Sequence, residues 1–245
     1  MALNASIFPA FGAESLAPQF SDGPGAPGEG MAAYIAALDR LTDTRAWREA
    51  SRRIVVAHSF GGMLGLSWLL AHGGTGDPPV HGLVLMSTTA GPMYDVARVR
   101  WGPFRIPAKP LMPLWNNGVV SYAAKLVFGG ARTGEVDFQR YRNRSEIAVG
   151  IAGWRQTTVR GRRAYRFAMQ GLDIRRRLEE IQVPTIVLHG TIDRYFRMAL
   201  AEELAGGLGA RLVRVDGARH TLPITHPGAV LEAVADLMAA TAPSS

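Results

Sequence analysis

A serine set between a β-branched run and a pair of glycines is the residue of this sequence best placed to act as a nucleophile. Val55-Val56-Ala57-His58-Ser59-Phe60-Gly61-Gly62 reads as a buried strand, a tight turn with Ser59 at its apex, and the start of a helix. The small residues two before and two after the serine, Ala57 and Gly61, let the backbone turn sharply without a side-chain clash. The hydroxyl is then lifted above the sheet edge at a helix N-terminus, where backbone N–H groups and the helix dipole can stabilise a developing oxyanion. This is a G-x-S-x-G nucleophile elbow with Ala57 in place of the first glycine. The plainer alternative is that Ser59 is a helix N-cap.

A carboxylate and an imidazole follow at comparable places. His189-Gly190-Thr191-Ile192-Asp193 comes after one apolar run, and Gly217-Ala218-Arg219-His220 after the next. Nucleophile, acid and base therefore occur in the order Ser59, Asp193, His220, each just past the C-terminal end of an expected strand, which is where open α/β sheets bind ligands. Asp193 competes with a role as cap of the next helix, and Asp95 is the alternative acid. His226, just before Pro227, suits a cap or loop, and His189 ends a buried strand. His58, beside the serine, suits packing or the lining of a pocket. No H-E-x-x-H or comparable histidine spacing marks a metal site.

The elements that must position these groups are legible from periodicity. Arg53–Ala57, Leu83–Met86, Thr185–Leu188 and Leu212–Val215 are short apolar runs expected to form buried strands. Met31–Leu41, Gly61–Ala71 and Pro227–Ala240 carry helical patterns, the last with Val230, Leu231, Val234, Leu237 and Met238 on one face. Strands alternating with helices predict an α/β fold, a mainly parallel sheet flanked by helices. Residues 91–172 lack an evident buried strand and hold Trp101, Trp115 and Trp154. They predict an inserted helical cap, leaving 1–90 and 173–245 as the core domain. The first thirty residues are punctuated by Pro and Gly and read mostly as loop.

Composition narrows the class of protein. The 245 residues are 47% hydrophobic and 19% charged, enough to bury a full core and unlike a disordered chain. The absence of cysteine excludes disulfides, thiolate metal sites and cysteine nucleophiles. No apolar run is long enough to span a bilayer, and no signal-peptide pattern opens the chain, so a cytoplasmic protein without a membrane partner is expected. The net charge is +7, but Lys109 and Lys125 are the only lysines among 27 basic residues. Rich in Arg, Ala and Gly, the sequence reads as GC-rich bacterial coding, and without a recognition module no nucleic-acid partner is expected. The densest basic run is Arg155, Arg160, Arg162, Arg163 and Arg166, then Arg175, Arg176 and Arg177. It is either a solvated face or a surface that attracts an acidic substrate or carrier.

The AHSFGG stretch at 57–62, LVLMST at 83–88, PTIVLHGTID at 184–193 and the segment from His220 to Pro227 together resemble the α/β-hydrolase fold superfamily, in its capped, esterase-like group. The resemblance covers about Arg53 to Ala240 and implies a Ser59–His220–Asp193 triad. Ser59 would attack an acyl carbon, and His220 would take its proton and later activate water. Asp193 would hold the imidazole, and the backbone N–H of Phe60 would supply one oxyanion donor. Members of the superfamily place the elbow farther along the chain and take a second oxyanion donor from an HG loop. Here either Ile7–Ala13 is a degraded form of that loop, with Pro9-Ala10 in place of His-Gly and Ala10 as donor, or residues 7–15 are the counterpart of a later strand and loop.

These features predict a serine hydrolase that cleaves a carboxylic ester or lactone through an acyl-enzyme and needs no cofactor. Its partner would be a small-molecule ester, lactone or thioester, with His58, Trp101, Trp115 and Trp154 lining the substrate pocket. A thioesterase or acyltransferase, a C–C bond hydrolase and a cofactor-free haloperoxidase would use the same triad. From a different class, a non-catalytic ligand-binding protein on this fold remains an alternative, motivated by the short N-terminus and opposed by the retention of Ser59, Asp193 and His220.

Overall fold

A computed structural model describes residues 14–18, 20, 23–24, 30–92, 98–101, 104–107, 158–193 and 195–241, with the backbone alone at 98–101, 104–107, 159, 162 and 163. The chain divides into two compact units, one holding residues 1–19, 31–91 and 173–245, the other 20–30 and 92–172.

The first unit is built on four parallel strands: β1 (Ile54–His58), β2 (Gly82–Met86), β5 (Thr185–Gly190) and β6 (Arg211–Val215). Their spatial order is β1-β2-β5-β6. Each expected strand is present within two residues of its bounds. Alternation along the strands sorts the core into two layers. Leu83, Leu85 and Val187 pack with helices α3 (Phe60–Ala71) and α5 (Met198–Leu208). Val84, Met86, Ile186 and Leu188 pack on the other side with α7 (Pro227–Ala240). Every residue of β2 is buried, as suits a central strand covered on both faces. Each such Leu or Val contributes about 1.5–3 kcal/mol by leaving water.

α7 begins at Pro227 in its first turn and buries Val230, Ala233, Val234 and Leu237. Ala233 takes the place the sequence pattern gave to Leu231, which is half-buried. β6 departs from its expected burial: only Val215 is buried, because the strand is terminal among the described strands of this sheet. Its exposed Arg214 pairs with Glu202 of α5, and Arg211 pairs with Asp236 of α7.

α1 (Gly30–Thr42) lies ahead of the sheet, with Ile35 and Leu38 packed on the α3 layer and Tyr34 buried. A short helix, α2 (Arg45–Arg48), and a 3₁₀ turn, Arg175–Glu180, complete the described elements of this unit before β5, with α6 (Leu222–Thr225) ahead of α7. Arg175 pairs with Asp173 and Glu203, and Arg177 with Glu180. Two of the three arginines of the second run are therefore engaged on the protein's own surface, where such pairs are worth little to stability.

The second unit carries α4 (Val159–Met169), capped by the Thr158 hydroxyl accepting the Gly161 N–H. It also holds an antiparallel pair, β3 (Arg98–Trp101) with β4 (Phe104–Pro107), in a register that sets Trp101 opposite Phe104. The sequence pattern predicted no strand here. Both strands alternate, Arg98-Val99-Arg100-Trp101 and Phe104-Arg105-Ile106-Pro107, but each is only four residues long, the shortest alternation that can mark a strand, and Pro103 and Pro107 bound the second.

Register across the main sheet sets the level of the site. His58, Met86, Leu188 and Val213 lie in one row. β1 stops at that row, whereas β5 and β6 run two residues further, to Gly190 and Val215. Residues leaving these ends project beyond the same sheet edge.

Candidate active site

Ser59 leaves β1 in a backbone conformation that side chains seldom adopt, with φ 54° and ψ −121°. Such a residue stores about 1–3 kcal/mol of strain and persists only where neighbours hold it. They do so here: the Ser59 N–H donates to the Met86 carbonyl at 2.9 Å, and the Thr88 hydroxyl donates to the Ser59 carbonyl at 2.7 Å. Gly62, and not Gly61, is the glycine that sterics demand. A Cβ on Gly62 would lie 2.6 Å from the Thr88 side chain, while one on Gly61 would meet nothing within 4 Å. Ala57 is buried in the layer packed against α3, where Gly65 faces it.

The other two groups arrive on loops tied to each other. The N–H of Thr191 donates to the Val215 carbonyl and that of Ile192 to the Ala218 carbonyl, both at 3.1 Å. The Thr191 hydroxyl bonds Asp216 and accepts the Gly217 N–H. Asp193 turns inward, its side chain wholly buried. Its Oδ1 accepts the N–H groups of Tyr195 at 2.8 Å and Phe196 at 3.1 Å. Its Oδ2 accepts Nδ1–H of His220 at 3.0 Å. The opposite edge of that ring, Nε2, lies 2.9 Å from Ser59 Oγ. Since Nδ1 donates to the carboxylate, Nε2 of the neutral ring accepts the serine proton. The structure thus joins Ser59, His220 and Asp193 in one hydrogen-bonded series.

Electrostatics favour an ionised acid. Burial acts to raise the Asp193 pKa, but the hydrogen bond from His220, the charge of that ring and the two backbone N–H groups outweigh it and leave the carboxyl below its ordinary value. His220 lies among rings, with centroids of Tyr195 at 4.7 Å, His58 at 5.0 Å and Phe196 at 5.4 Å. His58 donates Nε2–H to the His220 carbonyl at 2.7 Å, and burial, followed by the nearby His220, lowers its pKa to about 3. His58 is therefore neutral at physiological pH, with its donor engaged by the protein. Phe60, first residue of α3, packs edge-on to Tyr34 at 4.9 Å. Burial raises the Tyr34 hydroxyl to about 12.

Of the competing histidines, His226 precedes α7 and bonds the Thr225 hydroxyl, and His189 is fully buried against the Phe196 carbonyl. Ala10, Trp115, Trp154 and Asp95 lie outside the described residues, and Trp101 is described by its backbone in β3 alone. Tyr195 and Phe196, which hold the acid and flank the imidazole, escaped the sequence analysis. Their one signal was adjacency to Asp193, because neither backbone N–H donors nor ring contacts have a residue-type signature. Among the described residues no group of three potential ligands could hold a metal ion, and no helix is long and apolar enough to cross a membrane.

The sequence profile of the Alpha/beta hydrolase family matches residues 4–233, nearly the whole chain. The chain belongs to this family. Solved structures of similar fold include a hydrolase from Pseudomonas aeruginosa PA01, with 24% identity over 88% of this chain and 74% of that chain and a TM-score of 0.64. An esterase from Rhodococcus sp. ECU1013 shares 18% identity over 96% of this chain and 84% of that chain, with a TM-score of 0.66. The enol-lactonase from Burkholderia xenovorans LB400 shares 21% identity over 89% of this chain and 76% of that chain, with a TM-score of 0.63. At these identities the likeness is one of fold. No curated protein matches the sequence. As a member of the α/β-hydrolase family, the chain carries Ser59 at the strand-to-helix turn and the acid and imidazole beyond β5 and β6.

Proposed function

We propose that this α/β-hydrolase family member is a serine hydrolase that cleaves a carboxylic ester or lactone through an acyl-enzyme. The observation that carries the reading is the series Ser59 Oγ–His220 Nε2 at 2.9 Å and His220 Nδ1–Asp193 Oδ2 at 3.0 Å, on a serine held at positive φ. Ser59 Oγ bonds to the carbonyl carbon as its proton passes to His220 Nε2. The carbonyl oxygen becomes an oxyanion near the N-terminus of α3, where the Phe60 N–H serves as a donor. Collapse breaks the bond to the alcohol oxygen, which takes the proton from His220. Water then loses a proton to His220 and adds to the acyl carbon. Release of the carboxylic acid returns the proton to Ser59. Asp193 remains a carboxylate throughout and stabilises the imidazolium by its bond to Nδ1.

The esterase and enol-lactonase of similar fold support the choice of oxygen esters. A phosphate-bearing thioester carrier has less support, since Arg175 and Arg177 are paired with the protein's own carboxylates. The experiment is fluorophosphonate labelling of the full chain, followed by a panel of esters, lactones and thioesters. Labelling of the wild type, absent in Ser59→Ala and in His220→Ala, is the expected result. A folded wild type that takes no label refutes the reading.

A further inference from the structure

Two histidines outside the series stand in matching places around it. His58 ends β1 and directly precedes the nucleophile, while His189 lies in β5 four residues before the acid. Each has Nε2 within hydrogen-bond distance of a main-chain carbonyl, which can only accept, so Nε2 carries the proton in both rings. His58 Nε2–H meets the carbonyl of His220 at 2.7 Å. His189 Nε2–H meets the carbonyl of Phe196 at 3.0 Å, and the N–H of Phe196 in turn donates to Asp193 Oδ1 at 3.1 Å.

We propose that His58 and His189 are positioning residues of the hydrolytic site, His58 fixing the main chain of the base and His189 fixing the loop that holds the acid. The inference rests on reading Ser59, His220 and Asp193 as a catalytic triad. Consecutive residues of one strand end, His58 and Ser59, grip His220 at two points, its carbonyl and its Nε2. The imidazole cannot slide along the sheet edge without breaking one of those bonds.

For His189 a second observation argues against a packing role. Its side chain is fully buried, yet Nδ1 has no hydrogen-bond partner among the described residues. Leaving a buried polar atom unpaired costs stability, and a leucine of similar bulk would fill the same space without that cost. The histidine is explained by what its other nitrogen does. Burial lowers the pKa of both rings, so neither adds a positive charge beside His220 when that ring takes the serine proton.

The test compares His58→Phe, which keeps a ring and removes the donor, with His58→Gln, whose amide can donate to the same carbonyl. The readouts are the second-order rate of fluorophosphonate labelling, and kcat and KM for an ester that the wild type cleaves. Absence of label on the wild type refutes the hydrolytic reading itself, and the positioning role with it. With the wild type labelled, His58→Phe is expected to lose roughly ten- to a hundredfold in labelling rate and kcat, the scale of a misplaced catalytic group, with KM nearly unchanged. His58→Gln is expected to recover most of that loss. Wild-type rates in His58→Phe, or an equally deep loss in His58→Gln, overturn the role of His58. Should His58→Phe not fold, nitrogen-15 chemical shifts of the wild type decide. A neutral Nε2–H tautomer from about pH 5 to 8 is required, and an Nδ1–H tautomer or a protonated ring overturns the proposal. His189→Leu and His189→Gln make the corresponding pair, and an unaltered kcat in folded His189→Leu overturns the role of His189.

Discussion

Gly190 and Ala218 pass so close that a Cβ on the glycine would lie 2.3 Å from the Ala218 carbonyl oxygen. That contact joins the loop carrying Asp193 to the loop carrying His220, three residues before the carboxylate and two before the imidazole. Gly190→Ala must push the loops apart. The expected result is at least a hundredfold loss of ester hydrolysis and destabilisation by about 1–3 kcal/mol, read from kcat and from urea unfolding. Wild-type activity in this variant would show that the loops are free to move independently.

The same steric logic operates under the elbow. A Cβ on Gly62 would overlap the Cβ of Thr88 as well as its outer atoms, so a change of rotamer cannot relieve it. Gly62→Ala is expected to destabilise by about 1–3 kcal/mol. Combined with Thr88→Gly it should cost less than the sum of the two single changes, by about 1 kcal/mol in a double-mutant cycle. Strict additivity would deny the contact.

Ser59 sets stability against chemistry. Because its φ is 54°, glycine fits the position better than any residue with a Cβ. Ser59→Gly should therefore be more stable than Ser59→Ala by about 1 kcal/mol in thermal or urea unfolding, while both lose all labelling. Equal stability of the two variants would mean that the turn carries no strain.

Asp193→Asn keeps the shape of the acid and removes its charge. The amide can offer an N–H toward His220 Nδ1 and so favour the wrong tautomer of the ring. By analogy with other triads, kcat should fall about 10⁴-fold with little change in KM. A loss of less than about tenfold would mean that the carboxylate does not orient the base.

Stability should decline in acid, and Asp193 and His58 contribute to that decline with the same sign. The carboxyl of Asp193 is held below its ordinary 3.8 in the folded chain, so its contribution is present above that value and is lost as pH falls through the folded pKa. His58 titrates near 3 when folded and near 6.5 when unfolded. Between those values the unfolded chain binds the extra proton, so stability rises with pH at up to about 1.4 kcal/mol per unit from this group. Urea midpoints from about pH 4 to 7 check the prediction, and His58→Gln should flatten the slope. A slope unchanged by that substitution would remove His58 as its source.

The elbow was legible because its determinants are local. A β-branched run, a serine and a glycine pair within eight residues dictate strand, turn and helix. Which glycine the turn requires was not local: Gly62 is constrained by Thr88, two residues past the end of the neighbouring strand β2. Chain order likewise put Asp193 and His220 after successive strands, but the β3–β4 pair was missed, because its alternation of arginine with Val99, Trp101, Phe104 and Ile106 lasts only four residues in each strand.

From the sequence alone come the α/β alternation, the turn at Ser59 and the order of serine, carboxylate and imidazole, since hydrophobic period and small residues act over a few positions. Tertiary structure alone decided that these groups meet. The hydrogen bonds of 2.9 and 3.0 Å depend on parallel register that aligns His58, Met86, Leu188 and Val213, and on two loops pressed together at Gly190. It also decided the partners of His58 and His189, because a carbonyl acceptor belongs to every residue and leaves no mark in the residue types.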